Sequence, residues 1–177
     1  YRQTQPILDD FRIFALKTGM LPTKEIIDAI AEIITKNKLK NFVVDPVVRS
    51  TSGFDLIDDN ALKSLIEKLF PLADIVTPNI PEAERISNLK IESECDFAKV
   101  ARKIQSLGAR NVLLKGGHLP ISDSRKKIAK DYLFIGEETH IFEDEYHETT
   151  ATHGTGCTLA AAITANLALG KNLVESV

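Results

Sequence analysis

Cysteine and tryptophan are scarce in this 177-residue chain, which has two cysteines and no tryptophan. Two cysteines in a chain of this length do not make the disulfide framework of a small secreted domain. Cys95 lies in the acidic stretch "ESECDFAKV", without an accompanying metal-ligand pattern. We therefore expect no disulfide bond between Cys95 and Cys157 and a reducing, cytoplasmic compartment.

Long apolar runs and an excess of positive charge are also missing. No run approaches the roughly 18 apolar residues of a membrane-spanning helix, and the first ten residues lack the pattern of a secretory signal. The formal net charge of −3 provides no basic field that would attract nucleic acid or an anionic membrane. These absences favour small-molecule partners and leave the oligomeric state open, with a homodimer as one option.

The composition that remains, 44% hydrophobic and 27% charged residues, is that of an ordinary globular domain. A chain of this size buries roughly two-thirds of its unfolded surface, so we expect a single domain over residues 1–177. The chain starts at Tyr1 without methionine and ends at Val177 inside a predicted helical turn. We expect it to be a fragment of a longer protein.

Short apolar runs alternate with amphipathic patterns along the first two-thirds of the chain. Strands are predicted at 13–16, 41–46, 73–79 and 111–117, and helices at 22–38, with Pro22 in the first turn, 58–70, 81–87 and 96–108. This alternation indicates an α/β fold with a mostly parallel sheet and helices on both faces.

The pattern changes after Lys115. A polar loop is predicted over 118–130, followed by an antiparallel hairpin whose strands, "DYLFIG" and "THIFED", flank "EE", and then by a helix over 154–170. In open α/β sheets, ligands bind at the carboxyl ends of the strands. There the sequence places "KTGM", "DPVV", "TPNIPE" and "KGGH", which predict one site edge.

The segment Gly154-Thr155-Gly156-Cys157 begins the last predicted helix. Its amide N–H groups have no partner within a helix and its glycines permit close approach, so it can cradle a phosphoryl group. The helix dipole is expected to lower the pKa of the Cys157 thiol toward neutrality, which would let it accept a proton from a substrate hydroxyl. A glycine-rich turn with a structural cysteine is the alternative.

The four motifs "DPVV", "TPNIPEAE", "LLKGGH" and "THGTGCTLAAAI", in this order, resemble the hydroxymethylpyrimidine phosphate kinases of thiamine biosynthesis, which belong to the ribokinase-like superfamily. The resemblance runs from about Phe14 to Val177. It implies a ribokinase-like fold and ATP-dependent phosphorylation, with Mg²⁺, of 4-amino-5-hydroxymethyl-2-methylpyrimidine and then of its monophosphate to the diphosphate.

The resemblance also implies roles for single residues. Cys157 would be the base and the Gly154 to Cys157 amides the anion hole, while Lys115 would bind ATP. Asp45 would support phosphate or Mg²⁺, with the capping of a turn as the alternative. A lysine whose stem lies on apolar surface while its ammonium reaches water is the alternative for Lys115.

Asn79 and Glu82, in "NIPE", match the superfamily motif that organises Mg²⁺ and the ATP phosphates, partly through water. A helix start at Pro81 is the alternative. Met20 and Val48 match positions that contact the pyrimidine, with core packing as the alternative.

Arg49 stands where the family has an apolar residue, which puts the apolar wall of the substrate pocket in doubt. Arg125, Lys126, Lys127 and Lys130 form a basic cluster that could cover ATP phosphates or be a solvated surface run. His118 and His153 flank glycines, but no third ligand accompanies them at zinc spacing.

Two other functions remain open. A pyridoxal kinase of the same superfamily would share the fold and the cysteine. A noncatalytic remnant or binding module is the other, because the family's glycine-rich substrate segment and the following glutamine do not occur before Phe14. The N-terminal part of the fold and the last helices around the nucleotide base are therefore expected to be missing.

Overall fold

The computed structural model describes residues 2–49, 54–116, 128–147 and 154–177. These residues contain one six-stranded sheet with the strand order β1-β2-β3-β4-β5-β6. The strands are β1 Leu16–Thr18, β2 Phe42–Val44, β3 Ile75–Val76, β4 Asn111–Lys115, β5 Ile128–Ile135 and β6 Glu138–Glu145. Strands β1 to β4 are parallel, and β5 and β6 are antiparallel to their neighbours, as the sequence predicts.

Helices connect the parallel strands and follow the hairpin. They are α1 Gln5–Asp10, α2 Lys24–Asn37, α3 Asp59–Ser64, α4 Ile80–Ser87, α5 Asp96–Ser106, α6 Thr155–Ala168 and α7 Leu173–Ser176. The chain continues from α3 through a π-helical segment, Leu65–Leu69, into a 3-10 turn, Phe70–Leu72. Within the described residues, no helix has the length and apolar character needed to cross a membrane.

The start of α2 corrects one prediction. The side chain of Thr23 caps the helix by accepting a hydrogen bond from the Ile26 amide at 3.5 Å. Pro22 therefore precedes the cap and does not lie in the first helical turn. The predicted apolar stripe is present, with Ile27, Ile33 and Ile34 buried.

Two strand boundaries also differ from the prediction. Residues 16–18, and not 13–16, pair with β2, so the first strand lies later in the chain. Ile128 pairs with Glu145, so β5 includes three residues predicted as loop. The hairpin turn is formed by Gly136 and Glu137, because Ile135 pairs with Glu138.

Helices cover both faces of the sheet, which confirms the predicted layers. On one face, α2, α3, α4 and α5 pack over a large core that includes Phe42, Val44 and Leu114. On the other face, Ala160, Ile163 and Leu167 of α6 pack on a smaller cluster: Val43, Ile75, Leu113 and Leu133. Successive side chains of a strand point to opposite faces, which separates the two sets.

Candidate functional site

Four polar residues at the carboxyl ends of the parallel strands share the face covered by α6. Residues two positions before them contribute to the smaller core cluster: Ala15, Val43, Ile75 and Leu113. Since alternate residues of a strand face the same side, the polar residues that follow continue this face. They are Lys17, Asp45, Thr77 and Lys115.

Asp45 is the buried centre of this group, with 2% of its surface exposed. Its Oδ1 atom accepts hydrogen bonds from Lys115 Nζ at 3.2 Å and from Thr77 Oγ1 at 3.5 Å. Its Oδ2 atom is buried without a hydrogen-bond partner in the described part of the chain. Buried polar atoms in native proteins are nearly always paired, so Oδ2 is a candidate ligand-binding atom.

The first turn of α6 lies directly against Lys115. A Cβ atom added to Gly156 would be 3.0 Å from Lys115 Nζ, which explains why a glycine fits here. Gly154 is the N-cap with φ 83° and has no side chain that could cap the helix. The first amide N–H groups of a helix lack partners within the helix, so this turn has the geometry that can face an anion.

Cys157 is exposed in this turn. The pKa of its thiol shifts in the direction opposite to the one predicted from sequence. Partial removal of the thiol from water, and then the carboxylate of Asp45, raise the pKa of Cys157 above its ordinary value. The ammonium groups of Lys17 and Lys115 oppose this effect but do not outweigh it. The predicted lowering of the pKa of Cys157 toward neutrality is therefore wrong.

Asn79 and Glu82 form a capping box at the start of α4. Asn79 Oδ1 accepts from the Glu82 amide at 2.9 Å, and Glu82 Oε2 accepts from the Asn79 amide at 2.8 Å. Burial, with 3% of Glu82 exposed, raises the pKa of its carboxyl group to about 7. Asn79 and Glu82 therefore do start a helix, as the alternative interpretation held. The backbone bridge between Asn79 and Lys115 also keeps Asn79 and Glu82 beside the site.

The donor set fits a divalent cation. Mg²⁺ prefers oxygen ligands and takes one or two carboxylates together with waters. Asp45 offers a buried oxygen without a partner, and Glu82 is a buried carboxyl group whose ionised form a nearby cation would stabilise. In the described ranges, no group of three or more His, Cys, Asp or Glu side chains could hold a metal by itself.

The two predicted pyrimidine contacts differ in exposure. Met20 is 51% exposed just after β1 and is accessible to a ligand. Val48 is 1% exposed and belongs to the large core, so in this structure it has the packing role. Arg49 forms an ion pair with Asp55 at 2.9 Å, which satisfies its charge outside the cluster around Asp45.

The basic cluster is only partly described. Lys130 is paired with Glu143 at 3.0 Å and Glu94 at 3.7 Å, which agrees with a surface ion-pair role. The other residues singled out from sequence lie outside the described residues: Arg125, Lys126, Lys127, His118 and His153.

Sequence reasoning missed Lys17 and Thr77 as members of the site. The signal was present, because each lies two positions after an apolar residue that faces α6.

Comparison with known proteins finds a protein family whose model covers the whole chain. The model of the phosphomethylpyrimidine kinase family matches residues 1–177. A hydroxymethylpyrimidine/phosphomethylpyrimidine kinase of Staphylococcus aureus strain MRSA252 is 43% identical over 176 residues, 99% of this chain and 62% of that protein. This chain thus spans less than two-thirds of the length of that relative.

Solved structures confirm the expected fold. A phosphomethylpyrimidine kinase from Clostridium difficile 630 superposes with a TM-score of 0.82 at 40% identity, over 99% of this chain and 69% of the other. A pyridoxal kinase of Bacillus subtilis, solved as an ADP complex, gives a TM-score of 0.84 at 36% identity, over 98% and 65%. Both acceptor types expected from sequence thus occur among proteins of this fold.

Proposed function

Because this chain belongs to the phosphomethylpyrimidine kinase family, we propose that the protein transfers the γ-phosphoryl group of ATP to hydroxymethylpyrimidine and then to its monophosphate. The observation that carries the proposal is the contact of Lys115 with both Asp45 and the first turn of α6. It brings a cation, a carboxylate and an amide cradle to one point.

Phosphoryl transfer requires mainly positioning and charge neutralisation. Lys115 binds a phosphate of the nucleotide, and the Gly154 to Cys157 amides hold the moving phosphoryl group. Asp45 fixes the ammonium through its Oδ1 atom. The ADP complex of the pyridoxal kinase neighbour supports a nucleotide site on this fold.

The Cys157 sulfur accepts the proton of the attacking hydroxymethyl group. Burial and Asp45 raise the pKa of Cys157, so they favour its thiol form. The ammonium groups of Lys17 and Lys115 favour the thiolate, and so stabilise the form that acts as base. The reaction needs no covalent intermediate.

Asp45, Glu82 and Asn79 are the residues that would hold Mg²⁺, in part through water. The bound ion would neutralise charge on the nucleotide phosphates. We also propose a reducing, cytoplasmic compartment, which two free, exposed cysteines support. A homodimer remains one option for the assembly.

Replacement of Cys157 by alanine tests the assignment of the base. Phosphorylation of hydroxymethylpyrimidine is expected to fall by about 10² or more, the usual contribution of a general base, while calorimetry finds nucleotide affinity little changed. Cys95→Ala, which removes the other exposed cysteine, is the matched control and should leave turnover near normal. Near-normal turnover of Cys157→Ala would return this residue to a structural role.

A pyridoxal kinase is the second candidate, favoured by the likeness to the Bacillus subtilis enzyme. Turnover on pyridoxal and on the pyrimidine monophosphate, measured side by side, separates the two. Binding of the pyrimidine without any ATP-dependent product would instead support a noncatalytic binding module.

A further inference from the structure

Lys17 is a cation of the site to which neither the motifs nor the relatives' names give a role. It is the middle residue of β1 and is only partly exposed. Among the described residues, its ammonium forms no hydrogen bond or ion pair, whereas Lys115 is paired with Asp45. A partly buried ammonium without an acidic partner suits a site that receives an anion.

Lys17 and Lys115 lie at the carboxyl ends of the first and last of the four parallel strands. Lys17 comes from β1 and Lys115 from β4, with β2 and β3 between them. Strands lie about 4.8 Å apart, so these two strands are separated by about 14 Å. Helix α6 nevertheless contacts both β1 and β2, and its first turn lies against Lys115, so the helix start is close to both ends of the parallel part of the sheet. The ammonium groups of Lys17 and Lys115 both favour the Cys157 thiolate, which agrees with this placement.

The two lysines differ in their neighbours. Lys115 adjoins the Asn79 and Glu82 pair, which is assigned to the nucleotide. Lys17 precedes the exposed Met20, which is assigned to the pyrimidine. The Asp45 carboxylate follows β2, between the two lysines, but within the described residues it bonds to Lys115 and not to Lys17, so the charge of Lys17 stays available to an anion.

We propose that Lys17 binds the phosphate of the phosphorylated acceptor and thereby sets the preference for the monophosphate over the alcohol. This inference rests on the proposed function. The same chemistry could come from the γ-phosphate of ATP, but the position of Lys17 on the acceptor side favours the acceptor's phosphate.

The second phosphorylation differs from the first in what the nucleophile requires. A phosphate monoester has a second pKa of about 6, so its attacking oxygen is already deprotonated at neutral pH. That oxygen forms the new bond to the γ-phosphorus as the bond to the bridging oxygen of ADP breaks, and no proton leaves the nucleophile. Two anions must then approach each other, and a cation at Lys17 reduces their repulsion.

Kinetics of Lys17→Met with both acceptors provide the test. The ratio of kcat/KM for the monophosphate to kcat/KM for the alcohol is expected to fall at least about tenfold, the effect of one charge-assisted contact. Lys17→Arg should restore the ratio, and Lys40→Met, which removes an exposed lysine elsewhere, should leave it unchanged. Cys157→Ala should shift the ratio in the opposite direction.

An unchanged ratio in Lys17→Met would overturn the inference, as would a rise in the KM for ATP alone, which would assign Lys17 to the nucleotide. Calorimetric binding of the pyrimidine monophosphate gives a readout without turnover, and equal affinity in wild type and Lys17→Met would also contradict it. Failure of the wild-type protein to phosphorylate either pyrimidine would instead reject the proposed function.

Discussion

Glu82 is a buried carboxyl group whose pKa rises from 4.5 to about 7, mainly because burial disfavours its charged form. At pH values between 4.5 and about 7, the folded state therefore keeps the Glu82 proton, whereas the unfolded state has lost it. The free energy of unfolding should keep its full value below pH 4.5. It should then fall by about 3 kcal/mol in total as the pH rises to about 7.

Urea unfolding of wild type and Glu82→Gln across this pH range, with EDTA present, checks this prediction. Glutamine can still reach the Asn79 amide in a capping box but does not titrate. The stability difference between the two proteins should change with pH by the amount expected for one carboxyl group. Parallel curves would show that Glu82 ionises normally.

The chemistry of single residues was predictable from sequence only where it depends on near neighbours in the chain. The amide cradle at Gly154 to Cys157 follows from a local helix start. The direction of the Cys157 pKa could not be predicted, because the partial burial of the thiol and the carboxylate of Asp45, which follows β2, both arise from the tertiary structure. Lys17 was missed although its spacing from Ala15 places it on the face covered by α6.

Gly116 links β4 to the hairpin. A Cβ atom at this position would lie 2.5 Å from the backbone oxygen of Lys130 and 3.3 Å from the rings of Phe97 and Tyr132. Its amide also donates to the Asp131 carboxylate at 2.9 Å. The first glycine of "KGGH", read from sequence as part of a ligand loop, thus has a packing function.

Gly116→Ala is therefore expected to lower the free energy of unfolding by about 2 kcal/mol or more, because backbone and ring atoms must move apart. Gly19→Ala is the matched control, since its added Cβ would meet only the Lys17 ammonium, at 3.5 Å. Urea denaturation should leave the control within about 1 kcal/mol of wild type. Equal losses for the two variants would refute the packing argument.

Among the elements, those with strong local patterns were predictable. The stripe of isoleucines specifies α2, and Asp58 caps α3 as its sequence suggests. The π-helical segment Leu65–Leu69 and the early start of β5 were not predicted. Both depend on contacts with distant parts of the chain, such as the pairing of Ile128 with Glu145. The periodicity of apolar residues within a segment does not show which distant residues it will contact.

In the described molecule, the sheet has two unequal faces, and the site belongs to the smaller one. The large core contains 25 buried residues, whereas the smaller cluster contains seven when its three residues from α6 are included. The alternation of strands and helices predicted both layers but not this difference. Within the described residues, α6 therefore packs on fewer buried side chains than the helices on the other face.

Ile163 and Ile104 offer a matched comparison of the two faces, since both are isoleucines with no exposed surface in helices. Ile163 lies in α6 over the smaller cluster, and Ile104 lies in α5 over the large core. Truncation to alanine should cost each protein about 2–5 kcal/mol of unfolding free energy. Only Ile163→Ala, however, removes a contact that holds the helix bearing the amide cradle.

We therefore expect Ile163→Ala to reduce the turnover of the folded protein by about tenfold, the scale of a small misplacement of catalytic groups, while Ile104→Ala keeps turnover near that of wild type. Turnover is measured at a temperature where far-UV circular dichroism shows both variants to be folded, so that loss of folded protein does not contribute. Equal turnover in the two variants would mean that the position of α6 does not depend on the smaller cluster. The N-terminus of α6 would then be held by other contacts, such as the one with Lys115.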